Sequence, residues 1–392
     1  MASAYWKFIL ARSRDLSNIG ELTQARDRQL SMVLNRSGSL SFSIPMNDEL
    51  GAQIWPIESA IKAYRFGSTG AQLVWSGYVN TIDEDVANER MTVNCVGWLD
   101  RLAKRILHRD KAYATIDDGA IVQDLLADVN GNITTGEHAS GTTSAQIPGD
   151  NYTARWPAGS SPNTPTWIKW GGLLPNEGTG GATAYIAQTR SQNYARFQTN
   201  IQQAIQALTD IENGCDFDID PTARTLNVYR KKRRVLDTVV FGFRFGPENV
   251  AQFNRQIDGS ALANYGLATG AASIAPGFYH DQASQDIYGP VQEVYALSDV
   301  TRAEILGAYA NAEIVLKRVP RQIYTITPFR WTDENSVPEP FVNYRLGDQV
   351  RFVARSGTRV SINQQVRVFG IQVSIDAESN ESLGQLQIYP GG

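Results

Sequence analysis

One short pattern of residues occurs twice, once early in the chain and once at its end. The first copy reads Gly77-Tyr-Val-Asn-Thr-Ile82-Asp83, then Asn88-Glu89, then Met91, Val93 and Cys95. The second reads Gly370-Ile-Gln-Val-Ser-Ile375-Asp376, then Asn380-Glu381, then Leu386 and Ile388. A strand-like Arg-Phe pair precedes each, Arg65-Phe66 in one and Arg351-Phe352 in the other, followed by a Ser/Gly turn. The chemistry is that of a hairpin. Gly77 or Gly370 permits close strand packing or a bulge, and the Asp and Asn residues suit a polar turn. Gly77, Ile82, Asp83, Asn88 and Glu89, with Gly370, Ile375, Asp376, Asn380 and Glu381, therefore define a duplicated β-module. Such residues are architecture, and a duplicated module points to an assembly protein before an enzyme.

The segments between the copies indicate an α+β chain that is predominantly β, with two similar small antiparallel β-barrel domains joined by two α+β domains. Residues 1–97 read as the first barrel. Tyr5 to Leu10, Gln29 to Leu34 and Ser39 to Ile44 are strands, with Asn35-Arg-Ser-Gly38 as a turn. Residues 98–235 form an α+β domain with helices expected at Trp98–Ile106, Ala120–Val129 and Phe197–Ile211, then a hairpin at Cys215–Tyr229. A Gly/Thr/Ser-rich insertion occupies about 132–191. The second barrel is split over 236–270 and 321–392. A small helical or α+β domain, 271–320, interrupts it, and Thr301-Arg-Ala-Glu304 has the form of a capping box.

Composition excludes several classes. A formal charge of −4 gives no bulk attraction to nucleic acid or to an anionic membrane. The start lacks a signal peptide's basic and apolar regions, and no run approaches the ~20 apolar residues of a membrane span. No stable membrane insertion is expected, and maturation in a cytoplasm is. Cys95 and Cys215 sit among alternating apolar residues and read as buried small hydrophobes.

The candidate chemistries are weak. Asp216, Asp218 and Asp220 invite a calcium loop, but Pro221 and Asn227 stand where an EF-hand needs Gly and Glu. Their alternation fits the wet face of a half-buried strand. His108, His138 and His280 show no metal-ligand spacing, and no nucleophile elbow or P-loop is present. No catalytic residue, metal or cofactor is assigned. The basic run Arg230, Lys231, Lys232, Arg233, Arg234 is a candidate contact to a neighbouring subunit or to a DNA path. Tyr152, Trp156, Trp167 and Trp170 of the insertion could stack on sugars or form an interface.

In their order along the chain, several segments resemble the baseplate hub, or tail-associated minor tail protein, of long-tailed bacteriophages. That family is related to contractile-phage baseplate hubs and to the hub part of type VI secretion spikes. The segments are Asp15 to Arg26, the Leu34-to-Gly38 turn, Leu73-Val-Trp-Ser-Gly77, Gly97-Trp-Leu-Asp-Arg-Leu102, Leu262-Ala-Asn-Tyr-Gly266, Tyr288-Gly-Pro and Tyr344-Arg-Leu-Gly-Asp-Gln-Val350. The resemblance implies a homotrimeric ring in which three copies of two barrels meet a six-fold tail tube and present a three-fold face to a fibre. The implied partners are a distal tail protein or tail-tube ring, a tape measure protein and a central fibre or tip protein, with phage DNA in transient passage. It places the protein in the virion tail tip, assembled in the host cytoplasm.

Some members carry a lysin after the hub. Here the sequence ends at Tyr389-Pro-Gly-Gly392 just past the last expected strand, so a separate tip protein and no enzymatic role are expected. The alternative function is a receptor- or glycan-binding adhesin acting through 132–191.

Overall fold

The computed structural model describes residues 4–107, 110–131, 168–173, 176–178, 181–183, 189–194, 198–210, 214–230, 234–270, 274–297, 303–332 and 336–390. The first module contains β1 (Tyr5–Arg12), β2 (Asn18–Glu21), β3 (Arg26–Val33), β4 (Ser39–Pro45), β5 (Ser59–Gly67), β6 (Gly70–Asp85) and β7 (Arg90–Gly97). Strict alternation explains these strands, because a period of two puts every second side chain on one face. Trp6, Phe8 and Leu10 of β1 point into the core, as do Leu40, Phe42 and Ile44 of β4. Asn35 turns the chain between β3 and β4 with a left-handed φ of 59°, a conformation Asn tolerates better than most residues.

Next come α1 (Asp100–Ala103), β8 (Lys111–Asp117), α2 (Asp118–Gly131), β9 (Lys169–Leu173), β10 (Asn176–Gly178), β11 (Gly181–Thr183), β12 (Thr189–Tyr194), α3 (Ile201–Asp210), β13 (Cys215–Ile219) and β14 (Thr225–Arg230). The helices α2 and α3 bury Ile121, Leu125, Ile201, Ile205 and Leu208 against Cys215, Phe217, Leu226 and Val228 of the hairpin. The long helix expected over Trp98–Ile106 is a single turn. Trp98, Leu99 and Leu102 are buried as its periodicity required, but Ile106 is exposed. The backbone leaves the helix to bond Thr199 and Ile201, which seats the start of α3.

The remainder runs β15 (Val235–Phe243), β16 (Val250–Asp258), β17 (Tyr265–Thr269), β18 (Gly277–His280), α4 (Gln282–Tyr288), β19 (Gln292–Ala296), α5 (Ala303–Lys317), β20 (Arg321–Pro328), β21 (Gln349–Ser356), β22 (Val360–Ile375) and β23 (Glu381–Pro390). Strands β17, β18 and β19 form a separate sheet packed on α5. This insert occupies the connection from β16 to β20.

All other strands of the two modules belong to one 13-stranded sheet in the order β16-β20-β23-β22-β3-β4-β7-β6-β5-β1-β2, with β21 on β22 and β15 on β21. The chain is thus mostly β, with large antiparallel sheets, and none of them closes into a barrel. The modules expected as separate barrels share one open sheet and one core. Trp6, Phe42 and Val93 of the first belong to the same apolar cluster as Phe352, Ile371 and Leu386 of the second.

Candidate assembly junction

The duplication is visible in the pairing itself. The order β3-β4-β7-β6-β5 recurs as β16-β20-β23-β22-β21, every pair antiparallel. Both β6 and β22 are 16 residues long and hand over from one neighbour to another part-way along. Strand β22 pairs β21 through Val360–Arg367, and then β3 through Gly370–Ile375. Leu30 lies opposite Val373 in this second ladder, which welds the modules together.

Around that weld the first module grips the hairpin turn of the second. Trp6 N–H donates to Ser379 O at 2.9 Å, and Glu381 N–H donates to Ala4 O at 3.2 Å. The Arg28 guanidinium donates to Ser379 Oγ and to the Asp376 carbonyl. Glu381 is only 4% exposed and accepts from Trp6 Nε1 at 2.9 Å and from Arg65 Nε at 2.6 Å. Arg65, 1% exposed, also bonds Glu339 Oε1 at 2.6 Å, and the Ser68 backbone N–H and hydroxyl complete the shell of Glu339. Burial alone would lower the Arg65 pKa. The hydrogen bonds and charges of Glu381 and Glu339 outweigh that and hold it above its ordinary value. A buried charge persists only when paired and hydrogen-bonded, and here one guanidinium holds two carboxylates from the other module.

A second contact ties in the helical region. Asp216 is fully buried, accepts from Asn35 Nδ2 at 2.9 Å and pairs with Arg367 of β22. The expected wet face of β13 is therefore wrong at Asp216. That face turns onto the junction, and the carboxylate joins the β3–β4 turn to the second module.

The repeat residues divide unequally. Gly77 is buried, and a Cβ there would lie 2.3 Å from Val96 O and 2.4 Å from the Trp75 ring. At Gly370 it would meet only Gln387, no closer than 3.2 Å. Ile82 is half-buried and Ile375 buried, both against the shared core. Asp376 caps its turn through Asn380 N–H at 2.7 Å. In the first copy Asp85, not Asp83, bonds Asn88, and Asp83 accepts from Asn94 Nδ2 at 3.2 Å. Glu89 is an exposed turn residue with φ 50°, whereas its sequence counterpart Glu381 is the buried acid just described.

Arg230 ends β14 opposite Cys215, and Arg234 forms an ion pair with the buried Asp348. Lys231, Lys232 and Arg233 lie outside the described residues, as do Tyr152, Trp156 and Trp167. Trp170 is in β9, its backbone beside Leu226. Cys95 and Cys215 are buried and in no disulfide, and burial pushes the Cys95 thiol well above its ordinary pKa. Among the described residues no group of three His, Cys, Asp or Glu is placed to hold a metal, and no helix is long and apolar enough to cross a membrane.

Sequence reasoning named Arg65 and Asp216 without their place at the junction, and missed Glu339 and Arg367. For Arg65 a signal existed: Ile61, Ala63 and Arg65 share one parity in β5, and the first two are core residues.

No family model matches the sequence, and no curated protein matches it. The fold does have close counterparts. A tail protein from Neisseria meningitidis MC58 matches with a TM-score of 0.59 at 11% identity, covering 100% of this chain and 98% of that one. The 43 kDa tail protein of prophage MuSo2 from Shewanella oneidensis gives 0.57 at 12% identity over 98% of each chain. Prophage tail protein gp18 from Listeria monocytogenes EGD-e gives 0.53 at 11% identity, covering 98% of this chain and 94% of its own. The chain has the fold of these phage tail proteins, in agreement with the resemblance read from its sequence.

Proposed function

We propose that this chain is a structural hub of a bacteriophage tail tip. Three copies would form a ring whose six β-modules match a six-fold tail tube, while its other face carries a three-fold fibre or tip and its channel passes DNA. The observation that carries the reading is the repeated five-strand order within a single sheet. Two like modules per chain give six from three copies, which is what a three-to-six adaptor needs.

The shared fold with three phage tail proteins over nearly their whole length supports the same reading. The role is structural and non-catalytic, the location is the virion tail tip, and assembly takes place in the host cytoplasm. The direct partners are a tail-tube ring or distal tail protein, the tape measure protein and the tip. Arg230 to Arg233 would then face a neighbouring subunit or the DNA path, with Arg234 held by Asp348. The domain division read from the sequence is part of this proposal.

Light scattering tests the copy number. The expected species has three times the 43.2 kDa chain mass, about 130 kDa. A reconstruction of the virion tip showing this protein as a single copy would overturn the proposal.

A further inference from the structure

Within one chain β3 fills the edge of β22. Strand β6 holds in the first module the place of β22, and β16 holds in the second the place of β3. Among the described residues both of these places lack their neighbour. Strand β6 pairs β5 only as far as Tyr78, and beyond Val79 it pairs β7 alone. Strand β16 pairs β20 alone. Building on the trimeric reading above, we propose that the Asn80–Asp85 edge of β6 in one copy pairs antiparallel with β16 of the next copy, repeating between chains the β22–β3 weld.

The register follows from the inward-facing rows. Leu30, Leu40, Cys95 and Val79 lie side by side across the first module. Their counterparts across the second are Phe253, Ile326, Leu386 and Ile371. On β22 the next inward residue after Ile371 is Val373, across a bulge, and it faces Leu30. On β6 the next after Val79 is Ile82, again across a bulge. Ile82 of one copy therefore faces Phe253 of the next, and Thr81 faces Asn254.

Both edges have the surface such a contact needs. Ile82 borders a groove with Met46, Ile54, Met91 and Trp55, and Trp55 is 61% exposed. Ile257 of β16 and Phe245 in the link from β15 to β16 are each 47% exposed. Open strand edges ordinarily carry charges that block pairing. Asp83, Glu84 and Asp85 do so on β6, and they oppose the pairing of two β6 edges with each other. From Val250 to Ile257 β16 has no acid and one base, Arg255, so it accepts the acidic strand. Joining unlike surfaces in this way is a heterologous contact, which closes into a ring when the rotation allows.

The test is a cysteine pair in the full chain, Thr81→Cys with Asn254→Cys, both exposed positions, oxidised gently beside light scattering on the same sample. A covalent trimer on a non-reducing gel is the expected result, and the shifted pair Thr81→Cys with Gln256→Cys should link far more slowly. Mixing the two single variants should give covalent dimers, which guards against a double variant that fails to fold. A trimer by scattering without a cross-link overturns the strand pairing and leaves the trimer standing. Cross-linked species beyond three copies support the pairing and overturn the three-copy ring. Monomer with no cross-link at the highest soluble concentration overturns both.

Discussion

In the first module Arg65 sits inside the wall of the core, bonded to two carboxylates of the second module. In the second module Arg351, which holds the same place in the Arg-Phe echo, lies exposed and bonds the neighbouring Asn363. The phenylalanines trade places accordingly. Phe352 is fully buried, while Phe66 stacks on Tyr5 at the surface with ring centroids 4.5 Å apart. A strand shifted by one residue presents its other face, so a repeat that looks faithful in sequence has opposite facing in the structure. The difference makes one module a receiver and the other a donor. The Ser379–Glu381 end of the second module's turn is held by the first module, while Asp376–Glu378 and the corresponding turn at 83–89 lie in solvent.

The sharpest way to break this comparison is Arg65→Met against Arg351→Met. The first leaves two buried carboxylates without their cation, and removing one partner of a buried pair costs roughly 3–5 kcal/mol. The second removes an exposed side chain and should cost within about 0.5 kcal/mol. Urea unfolding midpoints measure both, and equal losses would refute the receiver–donor asymmetry. The repeat glycines give a smaller contrast. Gly77→Ala forces a methyl group into Val96 O and the Trp75 ring, an overpacking worth roughly 1–3 kcal/mol. Gly370→Ala meets only the movable Gln387 side chain and should cost less than half as much in the same assay. Asp376→Ala removes the cap from the turn that the first module holds at Ser379–Glu381, a loss of about 1 kcal/mol. Asp85→Ala, in the exposed turn, should leave the unfolding midpoint nearly unchanged.

The local alternation of β1, β3 and β4 and the helical faces of α2 and α3 were legible because each rests on residues close in sequence. So was the predominance of strand, and so was the duplication. The single sheet shared by the two modules was not, since the β22–β3 ladder depends on two edges more than 300 positions apart meeting in one register. Asp216 illustrates the same limit. Three acids alternating with Cys215, Phe217 and Ile219 have the pattern of a solvated strand face, and only the packing of β13 on Asn35 and Arg367 makes the first of them a clamp. Helix α4 escaped notice because it is 7 residues long, too short for a hydrophobic period to register. The long helix expected at Trp98 failed for the converse reason, an apolar spacing cut short by tertiary bonds to Thr199 and Ile201.

The smallest effect concerns what each module places between its paired strands. The first uses the turn at Asn35, whereas the second carries the insert of β17–β19, α4 and α5. That insert has its own fastening, in which Lys317 of α5 bonds Glu293 of β19 at 2.8 Å and Glu313 at 3.1 Å. Burial pushes the Glu293 carboxyl up, but hydrogen bonds from Lys317 and Tyr295 outweigh it and hold the pKa below the ordinary 4.5. Lys317 is depressed by burial and raised by more through its bonds to Glu293 and Glu313, so it stays charged through any ordinary pH. A carboxylate depressed in the folded state contributes stability above its unfolded pKa and loses it as pH falls through the folded value. The insert should therefore loosen below about pH 4.5, by no more than the ~1 kcal/mol of a partly exposed pair. Hydrogen exchange of β17–β19, taken relative to β22–β23 at each pH, measures this directly. Glu293→Gln should abolish the acid-side change without altering exchange in β22. Parallel loosening of insert and sheet would mean that the second module is one cooperative body, and that its interruption is an interruption of sequence alone.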